Sequence, residues 1–437
     1  MGENLYKYKL SRYNAHCREG NLEYIWNTFS DALLKLDKDA QEYIRLFSGI
    51  DDGSAEFNLL KNNGFIVYDQ LNEFGRVCIQ EKQSIFNPNP SSLSYVIAPG
   101  MGCNYHCSYC FEAKSDLSGV MSLETANDVT EYICQELRNT STVKELRISW
   151  FGGEPLLYMD IIETISRKLM DFAHQNSIEY SAFITTNGRF LDSKALMSIQ
   201  EYGIKGVKIP LDGTCDLYCR SKCATPEDFS CVIDNIQRAS KKIYTMIRLN
   251  IPNGNASEAI AITDYLLKDC NLLDKVFIYL AYICEFSFIP ETSTQMYKNF
   301  IDNFLLYTEY LVKHYGQSKA KASMFLPKRT HTSCGLVRVC SACIGPRGEL
   351  YKCQHNFGND VMRIGNIWQG RFYNEMELTY YVSSDDITRS KCSQCEYLPV
   401  CMGGCANDRV SGFIRYNCNE HKQFLFKLKL LEGGVFI

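Results

Sequence analysis

Strand-like and helical runs alternate from Ser94 to about residue 300, and this alternation limits the possible folds of the 437-residue chain more than any other feature. Six short apolar runs have the composition of strands, and helical segments separate several of them. Strands that are joined by helices lie parallel in one sheet, so this region is predicted to have an α/β fold. The predicted strands are Ser94–Ala98, Glu145–Trp150, Ser181–Thr185, Gly206–Pro210, Thr245–Asn250 and Lys275–Tyr279, and the clearest helices are Leu123–Arg138, Met159–Gln175 and Ser193–Tyr202.

Three closely spaced cysteines follow the first predicted strand. Cys103, Cys107 and Cys110 have the spacing C-x₃-C-x₂-C, which fits one loop around the face of an iron–sulfur cluster. Three thiolates hold three irons of a four-iron cube and leave the fourth iron open, whereas structural clusters with four thiolates have no open iron. Three buried apolar cysteines are the alternative interpretation, but the downstream motifs agree with a cluster.

The cysteine motif and the segment Gly152-Gly153-Glu154, which follows the second predicted strand, together resemble the signature of the radical SAM enzymes. This resemblance implies a partial (β/α)6 radical SAM barrel, a [4Fe–4S] cluster on the three cysteines, and S-adenosylmethionine (SAM) on the open iron. It also implies that Glu154 pairs with the methionine ammonium, while the glycines let the backbone approach the ligand. For the segment that contains Thr186 and Asn187, a plain strand-to-helix turn is the simpler alternative. For Arg220 and Arg248, the alternative is a surface ion pair. The other residues that the resemblance implies to bind SAM are Thr186, Asn187, Asp212, Arg220, Arg248 and Asn250.

A second group of cysteines lies near the end of the chain. Its spacings, C-x₁₃-G-x₄-C and C-x₂-C-x₅-C-x₃-C with a final cysteine, resemble the SPASM iron–sulfur domain of peptide-modifying radical SAM enzymes. The resemblance implies two auxiliary [4Fe–4S] clusters, and therefore three clusters in all. Cys340 is predicted to be the fourth ligand of the first auxiliary cluster, and Cys343 is the alternative. If neither cysteine binds, one iron of this cluster stays open for a substrate thiolate. A zinc-ribbon site is the alternative for the first C-x₂-C pair. The implied ligands are Cys334, Cys353 and Cys405 for the first auxiliary cluster, and Cys392, Cys395, Cys401 and Cys418 for the second.

Residues 1–90 are predicted to form a separate winged-helix-like module of a few strands and three helices. This module resembles the recognition element of peptide-maturing radical enzymes, where the leader of a precursor peptide adds a strand to an exposed sheet edge. The alternative is a plain extension that packs on the barrel. The predicted elements are a hairpin of Tyr6–Tyr13 with Leu22–Phe29 around the turn Arg18–Asn21, helices from Asp39 to Phe47, Ala55 to Lys61 and Asn72 to Gln83, and a short strand, Phe65–Tyr68.

The composition limits the possible binding partners of the chain and the cellular compartment in which we expect it. The formal net charge of −4 argues against non-specific nucleic-acid binding as the main role. No run of eighteen apolar residues and no apolar secretory segment is present, so we expect no membrane span. In a chain without a secretory signal, 21 cysteines suggest metal rather than disulfides, and a reducing cytoplasm is expected.

These resemblances imply an oxidoreductase with three domains: the module at 1–90, the barrel at 91–310 and the SPASM region at 311–437. The implied function is maturation of a ribosomally made precursor peptide, with a thioether from cysteine sulfur to carbon as the expected product. The precursor is bound through its leader, and a flavodoxin or ferredoxin supplies electrons. The alternatives are a carbon–carbon or carbon–oxygen crosslink, formylglycine formation as in anaerobic sulfatase maturases, and a non-catalytic electron carrier or scaffold. Against the sulfatase alternative, Gln354-His355 stands where those enzymes carry an aspartate base.

Overall fold

The computed structural model describes residues 7–112, 119–283, 290–322, 326–371, 391–410 and 417–432. A ten-stranded sheet runs through its middle, in the order β11-β10-β9-β8-β7-β6-β12-β13-β14-β15. Strands β6 to β11 are each parallel to their neighbours, as the alternation of strands and helices predicted. These strands are β6 (Ser92–Ile97), β7 (Glu145–Trp150), β8 (Glu179–Thr185), β9 (Ile204–Leu211), β10 (Tyr244–Asn250) and β11 (Phe277–Ala281).

Helices on one face of this sheet bury every second strand residue. Ile148, Val207 and Ile247 are at most 1% exposed and belong to the main hydrophobic core. Lys208 and Arg248 have the opposite parity, so they face away from these helices. All six strands of the barrel region were predicted to within two residues. The helices are α4 (Leu123–Asn139), α5 (Met159–Gln175), α6 (Ser193–Glu201), α7 (Cys215–Lys222), α8 (Pro226–Ala239) and α9 (Ala256–Asp264), followed by α10 (Pro290–Ala322), which is interrupted at Gly316.

The C-terminal part of the chain extends the same sheet. Strand β12 lies parallel to β6 and pairs Ser341 with Ser94 and Ile344 with Ile97. The remaining three strands are antiparallel. A C-terminal helix, Cys418–Glu432, packs against α10, where the Phe304 and Phe424 rings meet edge to face at 5.3 Å. The added strands are β12 (Ser341–Ile344), β13 (Glu349–Tyr351), β14 (Gly365–Asn366) and β15 (Gly370–Arg371), and two short helices are Leu398–Cys401 and Ala406–Val410.

The N-terminal module has three helices, as predicted, but its first hairpin was assigned to the wrong strand. The partner of β3 is the segment immediately before the turn, and the earlier strand β1 pairs with β5 instead. Because the turn at Gly20-Asn21 is short, it joins directly adjacent residues, Glu19 and Leu22. The preceding strand is polar and has one fully buried residue, Ala15, so its alternation gave little signal. The elements are β1 (Tyr8–Leu10), β2 (Asn14–Glu19), β3 (Leu22–Asn27), β4 (Leu33–Leu36), α1 (Lys38–Leu46), α2 (Ala55–Asn62), β5 (Ile66–Tyr68) and α3 (Glu73–Ile85).

This module packs directly on the cysteine-rich segment 391–402, a contact that we call the module interface. The buried Trp26 ring meets the rings of Tyr397 and Phe426 edge to face, at 5.8 and 5.9 Å. Thr28 Oγ1 donates a hydrogen bond to the Glu396 carbonyl at 2.5 Å. The interface is therefore part of the hydrophobic core, and the module is built into the fold. Among the described helices, none combines the length and hydropathy that a membrane crossing needs.

Candidate cofactor site

Cys103, Cys107 and Cys110 lie in the loop that leaves the carboxyl end of β6, which we call the cysteine loop (residues 98–112). Cys103 is exposed, and Cys107 and Cys110 are partly buried. A hydrogen bond from Cys110 N–H to the Cys107 carbonyl, at 3.0 Å, closes a turn between these two residues. Burial raises the pKa of Cys107 to about 11, and the nearby Lys222 ammonium opposes this shift. Because iron binds thiolates, cluster binding would displace the proton that the buried Cys107 thiol otherwise keeps.

Two neighbouring elements fix the backbone of the cysteine loop. At its start, Ala98 N–H donates to the Ile344 carbonyl of β12 at 2.9 Å. Further on, Ser108 N–H donates to the Ser221 carbonyl at the end of α7, at 3.0 Å. The loop is therefore held between the sheet and α7 on both sides of its second cysteine.

The predicted Gly-Gly pair packs against the cysteine loop. Gly152 has a φ of 119°, which only glycine adopts readily. A Cβ on Gly153 would lie 2.6 Å from the carbonyl carbon of Gly102. The two backbones also bond to each other, because Glu154 N–H donates to the Gly102 carbonyl at 2.9 Å. The glycines therefore allow the close approach of two backbone segments at this strand end.

Glu154 is fully buried and linked to the next strand end. Its carboxylate accepts hydrogen bonds from Leu156 N–H at 2.9 Å, from the Thr186 hydroxyl at 2.7 Å and from Asn187 N–H at 2.7 Å. Burial raises the pKa of Glu154, while these hydrogen bonds favour the charged form. A carboxylate has about four acceptor sites, so one remains for a ligand ammonium.

Asn187 joins this strand end to the cysteine loop. Its side-chain amide donates to Asn104 Oδ1 at 2.7 Å and lies 3.8 Å from Cys103 Sγ. The structure therefore brings together Glu154, the Thr186-Asn187 segment and the first cysteine, and their contact with SAM stays a prediction.

A buried ion pair lies beneath the cysteine loop. The side chains of Asp212 and Lys222 are 0% and 2% exposed, and Lys222 Nζ lies 3.5 Å from Asp212 Oδ2. Tyr109, inside the cysteine motif, donates its hydroxyl proton to the same oxygen at 2.6 Å. Burial raises the pKa of Asp212, and the Lys222 ammonium is the largest opposing effect. Sequence reasoning missed Lys222, because only the folded end of α7 brings it to Asp212.

Three buried polar atoms at the ends of β9 and β10 have no hydrogen-bond partner among the described residues. They are Asp212 Oδ1, Arg248 Nε and Asn250 Oδ1. Buried polar atoms without partners are costly, so two acceptors and one donor at one sheet edge fit a polar ligand such as SAM. Arg220 is different: it lies exposed on α7, and its contact with SAM stays a prediction.

The end of the cysteine loop reaches the C-terminal region. The ring of Phe111 stacks on that of His355, with centroids 4.0 Å apart. Burial raises the pKa of the adjacent Glu112 to about 8, which makes this carboxyl a candidate for proton transfer near neutral pH.

The C-terminal cysteines fall into two groups. Cys353 lies close enough to Cys334 and Cys405 to interact electrostatically with both. These three cysteines are the ligands implied for the first auxiliary cluster. Cys340, the predicted fourth, instead packs against the main core on the other face of the sheet.

The second group lies at the module interface, where Cys392 and Cys395 join its apolar clusters. Cys401 ends a short helix next to them. Cys418 is exposed at the start of the C-terminal helix.

In the ranges that the structure describes, no three His, Cys, Asp or Glu side chains are arranged to hold a metal ion. The thiols of a four-iron cube bind separate irons and need not converge on one point. The thiol donors of the cysteine loop and the open polar atoms beside them therefore fit a cluster with SAM.

Comparison with known proteins agrees with this site. Residues 97–266 match the family model described as the Radical SAM superfamily. One relative, the radical SAM cyclopropyl synthase TigE of Paramaledivibacter caminithermalis, is 24% identical over 89% of this chain and 86% of its own length. A cysteine-type anaerobic sulfatase-maturating enzyme of Clostridium novyi is 23% identical over 74% of this chain and 90% of its own.

Among solved structures, native anSMEcpe with bound AdoMet and the Cp18Cys peptide superposes with a TM-score of 0.59 at 18% identity. The match covers 78% of this chain and 97% of that one, and it supports the α/β fold with a parallel sheet. The family match and these relatives confirm the prediction of a SAM-dependent enzyme.

Proposed function

We propose that this chain is a radical SAM maturase that oxidatively crosslinks a ribosomally made precursor peptide, with a thioether from cysteine sulfur to carbon as the product. The observation that carries the proposal is the module interface, where a small module of two short sheets, with β2 and β4 at the edges of the larger one, packs on the cysteine-rich segment 391–402. A leader that adds a strand to that module would bring the following peptide to the cysteine-rich segment on which the module packs. The solved relative with a bound peptide supports a peptide substrate.

Different residues of the site are proposed to bind different groups of SAM. Glu154 supplies an acceptor for the SAM ammonium, and the open atoms of Asp212 and Asn250 suit the ribose hydroxyls. Lys222 and Tyr109 hold Asp212 charged and oriented from below. When bound, the cluster and SAM supply a one-electron reduction that cleaves SAM and removes a hydrogen atom from an unactivated substrate carbon.

A crosslink also needs an electron acceptor. After loss of the hydrogen atom, the substrate must lose one proton and one electron as the new bond closes. We propose that eight of the nine C-terminal thiols, seven of them with either Cys340 or Cys343, would hold two auxiliary clusters, which would supply an acceptor for this electron on its way to a flavodoxin or ferredoxin. The C-terminal extension of the sheet places the Cys353 turn next to the cysteine loop, through the contact of Phe111 with His355.

Two other products remain in competition. The full-length similarity to a cyclopropyl synthase favours a carbon–carbon bond as the second candidate. Formylglycine formation is less favoured, because His355 is stacked on Phe111 where a sulfatase maturase carries its aspartate base.

The test is the mass of the small peptide encoded beside the gene, after anaerobic co-expression. A loss of two hydrogens per modified residue, with a cysteine that no longer reacts with iodoacetamide, is expected for a thioether. The same loss with every thiol still reactive would establish the carbon–carbon or carbon–oxygen alternative. The triple variant Cys103→Ala, Cys107→Ala, Cys110→Ala is the control and should return the peptide unmodified. An unmodified peptide from the wild-type enzyme, with SAM still cleaved, would contradict the proposal.

A further inference from the structure

The pairing of β12 with β13 decides which cysteines share a face of the sheet. Cys343 pairs with Tyr351 in an antiparallel register, so their side chains lie on the same side. Cys353 follows two residues after the end of β13, and its backbone is still extended there, with φ −144° and ψ 134°. Cys343 interacts electrostatically with both Cys353 and Cys334, and it is fully buried.

The loop that carries Cys334 lies over the same face. Ser341 has the parity of Cys343, and its hydroxyl donates to the Gly335 carbonyl at 2.9 Å. This bond holds the residue next to Cys334 against the strand.

A second bond fixes the turn that carries Cys405. The Asn356 amide donates to Asn407 Oδ1 at 3.0 Å, and both residues are buried. Because these residues follow Cys353 and Cys405 closely in the sequence, the bond joins the two cysteine-bearing turns. Cys334, Cys343 and Cys405 therefore all lie near Cys353, on the face of the sheet that is opposite to the helices.

Cys340 has the opposite parity. It precedes β12 by one residue and packs against the core on the helical face, with Tyr95 and Ala342. To reach the other three thiols, its side chain would have to pass through the hydrogen-bonded pair β6–β12.

We propose that Cys343, and not Cys340, is the fourth ligand of the first auxiliary cluster, an inference that rests on the proposed C-terminal clusters. Cys343 binds as a thiolate and releases one proton when the cluster assembles. With four thiolates in place, this cluster has no open iron. A substrate thiolate then has no coordination site there, and the cluster serves as an electron acceptor only.

The test compares two matched serine variants of the full-length chain, Cys343→Ser and Cys340→Ser, after anaerobic reconstitution. The readouts are iron per chain and the electron paramagnetic resonance spectrum of the reduced protein. We expect Cys340→Ser to keep the wild-type iron content and spectrum, whereas Cys343→Ser changes the spectrum or loses up to four irons. A change in Cys340→Ser with none in Cys343→Ser overturns the assignment, and so does a wild-type result from both.

Two further measurements separate the possible failures. Only about four irons in the wild-type chain would refute the auxiliary clusters themselves rather than the ligand assignment. The variant Cys343→Ala opens one iron of the auxiliary cluster. With saturating SAM present to occupy the open iron at the cysteine loop, added 2-mercaptoethanol should shift the spectrum of this variant and leave that of the wild-type protein unchanged. A shift in the wild-type spectrum overturns the proposed saturation. Equal melting temperatures of the iron-free proteins, measured by circular dichroism, would show that the variants fold.

Discussion

Replacing Gly153 by alanine tests whether the Gly-Gly pair positions the cysteine loop. The new Cβ would lie 2.6 Å from the Gly102 carbonyl carbon, and closer still to that oxygen and to the Met101 oxygen. These atoms are backbone, so no side-chain rotation relieves the overlap and the loop must shift. Overpacking of this kind costs about 1–3 kcal/mol. If the cost appears in cofactor binding, the Kd for SAM rises about 5- to 150-fold.

The assay is SAM binding to the anaerobically reconstituted enzyme, followed by calorimetry, with thermal melting in parallel. If the cost appears in folding instead, the variant should melt about 2–12 °C lower, because a domain of about 150–250 residues loses about 2–4 °C in Tm per kcal/mol. The matched control is Gly335→Ala, since a Cβ there meets nothing within 4 Å and its φ is ordinary. A Gly153→Ala enzyme with wild-type SAM affinity and Tm would refute the reasoning.

Three further predictions concern buried groups. Lys222→Met leaves the Asp212 carboxylate without its buried partner, which should cost about 3–5 kcal/mol in the free energy of unfolding, and an unchanged denaturation midpoint would contradict this. Trp26→Ala removes a fully buried ring from the module interface, so we expect a loss of about 3–5 kcal/mol and faster proteolysis of the linker at residues 87–92, whereas Leu22→Ala, at an exposed position, should match the wild type. Burial lowers the pKa of His421 from 6.5 to about 4. The folded state therefore disfavours its protonation, and stability should fall by up to about 1.4 kcal/mol per pH unit from pH 6.5 towards 4. His421→Gln should lose this part of the pH dependence of Tm, and identical slopes for the two proteins would disprove the assignment.

The strands of the barrel could be predicted from sequence because each is a short apolar run with helices beside it. The segment Ser149–Phe151 illustrates this, since β7 ends at Trp150 as predicted and the glycine pair follows at once. The N-terminal hairpin could not be predicted from sequence, because β2 is polar and its position is set by packing at the module interface.

The site was predicted where motifs lie at strand ends and missed where it depends on distant contacts. Glu154 and Asn187 meet because parallel strands end at one edge. Lys222 has no motif, and it reaches Asp212 only because α7 ends beneath the cysteine loop. The choice between Cys340 and Cys343 turns on side-chain parity in a four-residue strand, which the cysteine spacing alone does not encode.

The hydrogen bonding of β12 to β6 has a consequence for electron flow. The cysteine loop follows the carboxyl end of β6, and Cys343 lies one residue before the same end of the adjacent parallel strand β12. At this end, Ala98 N–H donates a hydrogen bond to the Ile344 carbonyl. In the proposed loaded enzyme, the SAM-binding cluster and the first auxiliary cluster would therefore be held at one end of two paired strands, so the distance between them is set when the chain folds. We expect peptide binding to leave this distance unchanged.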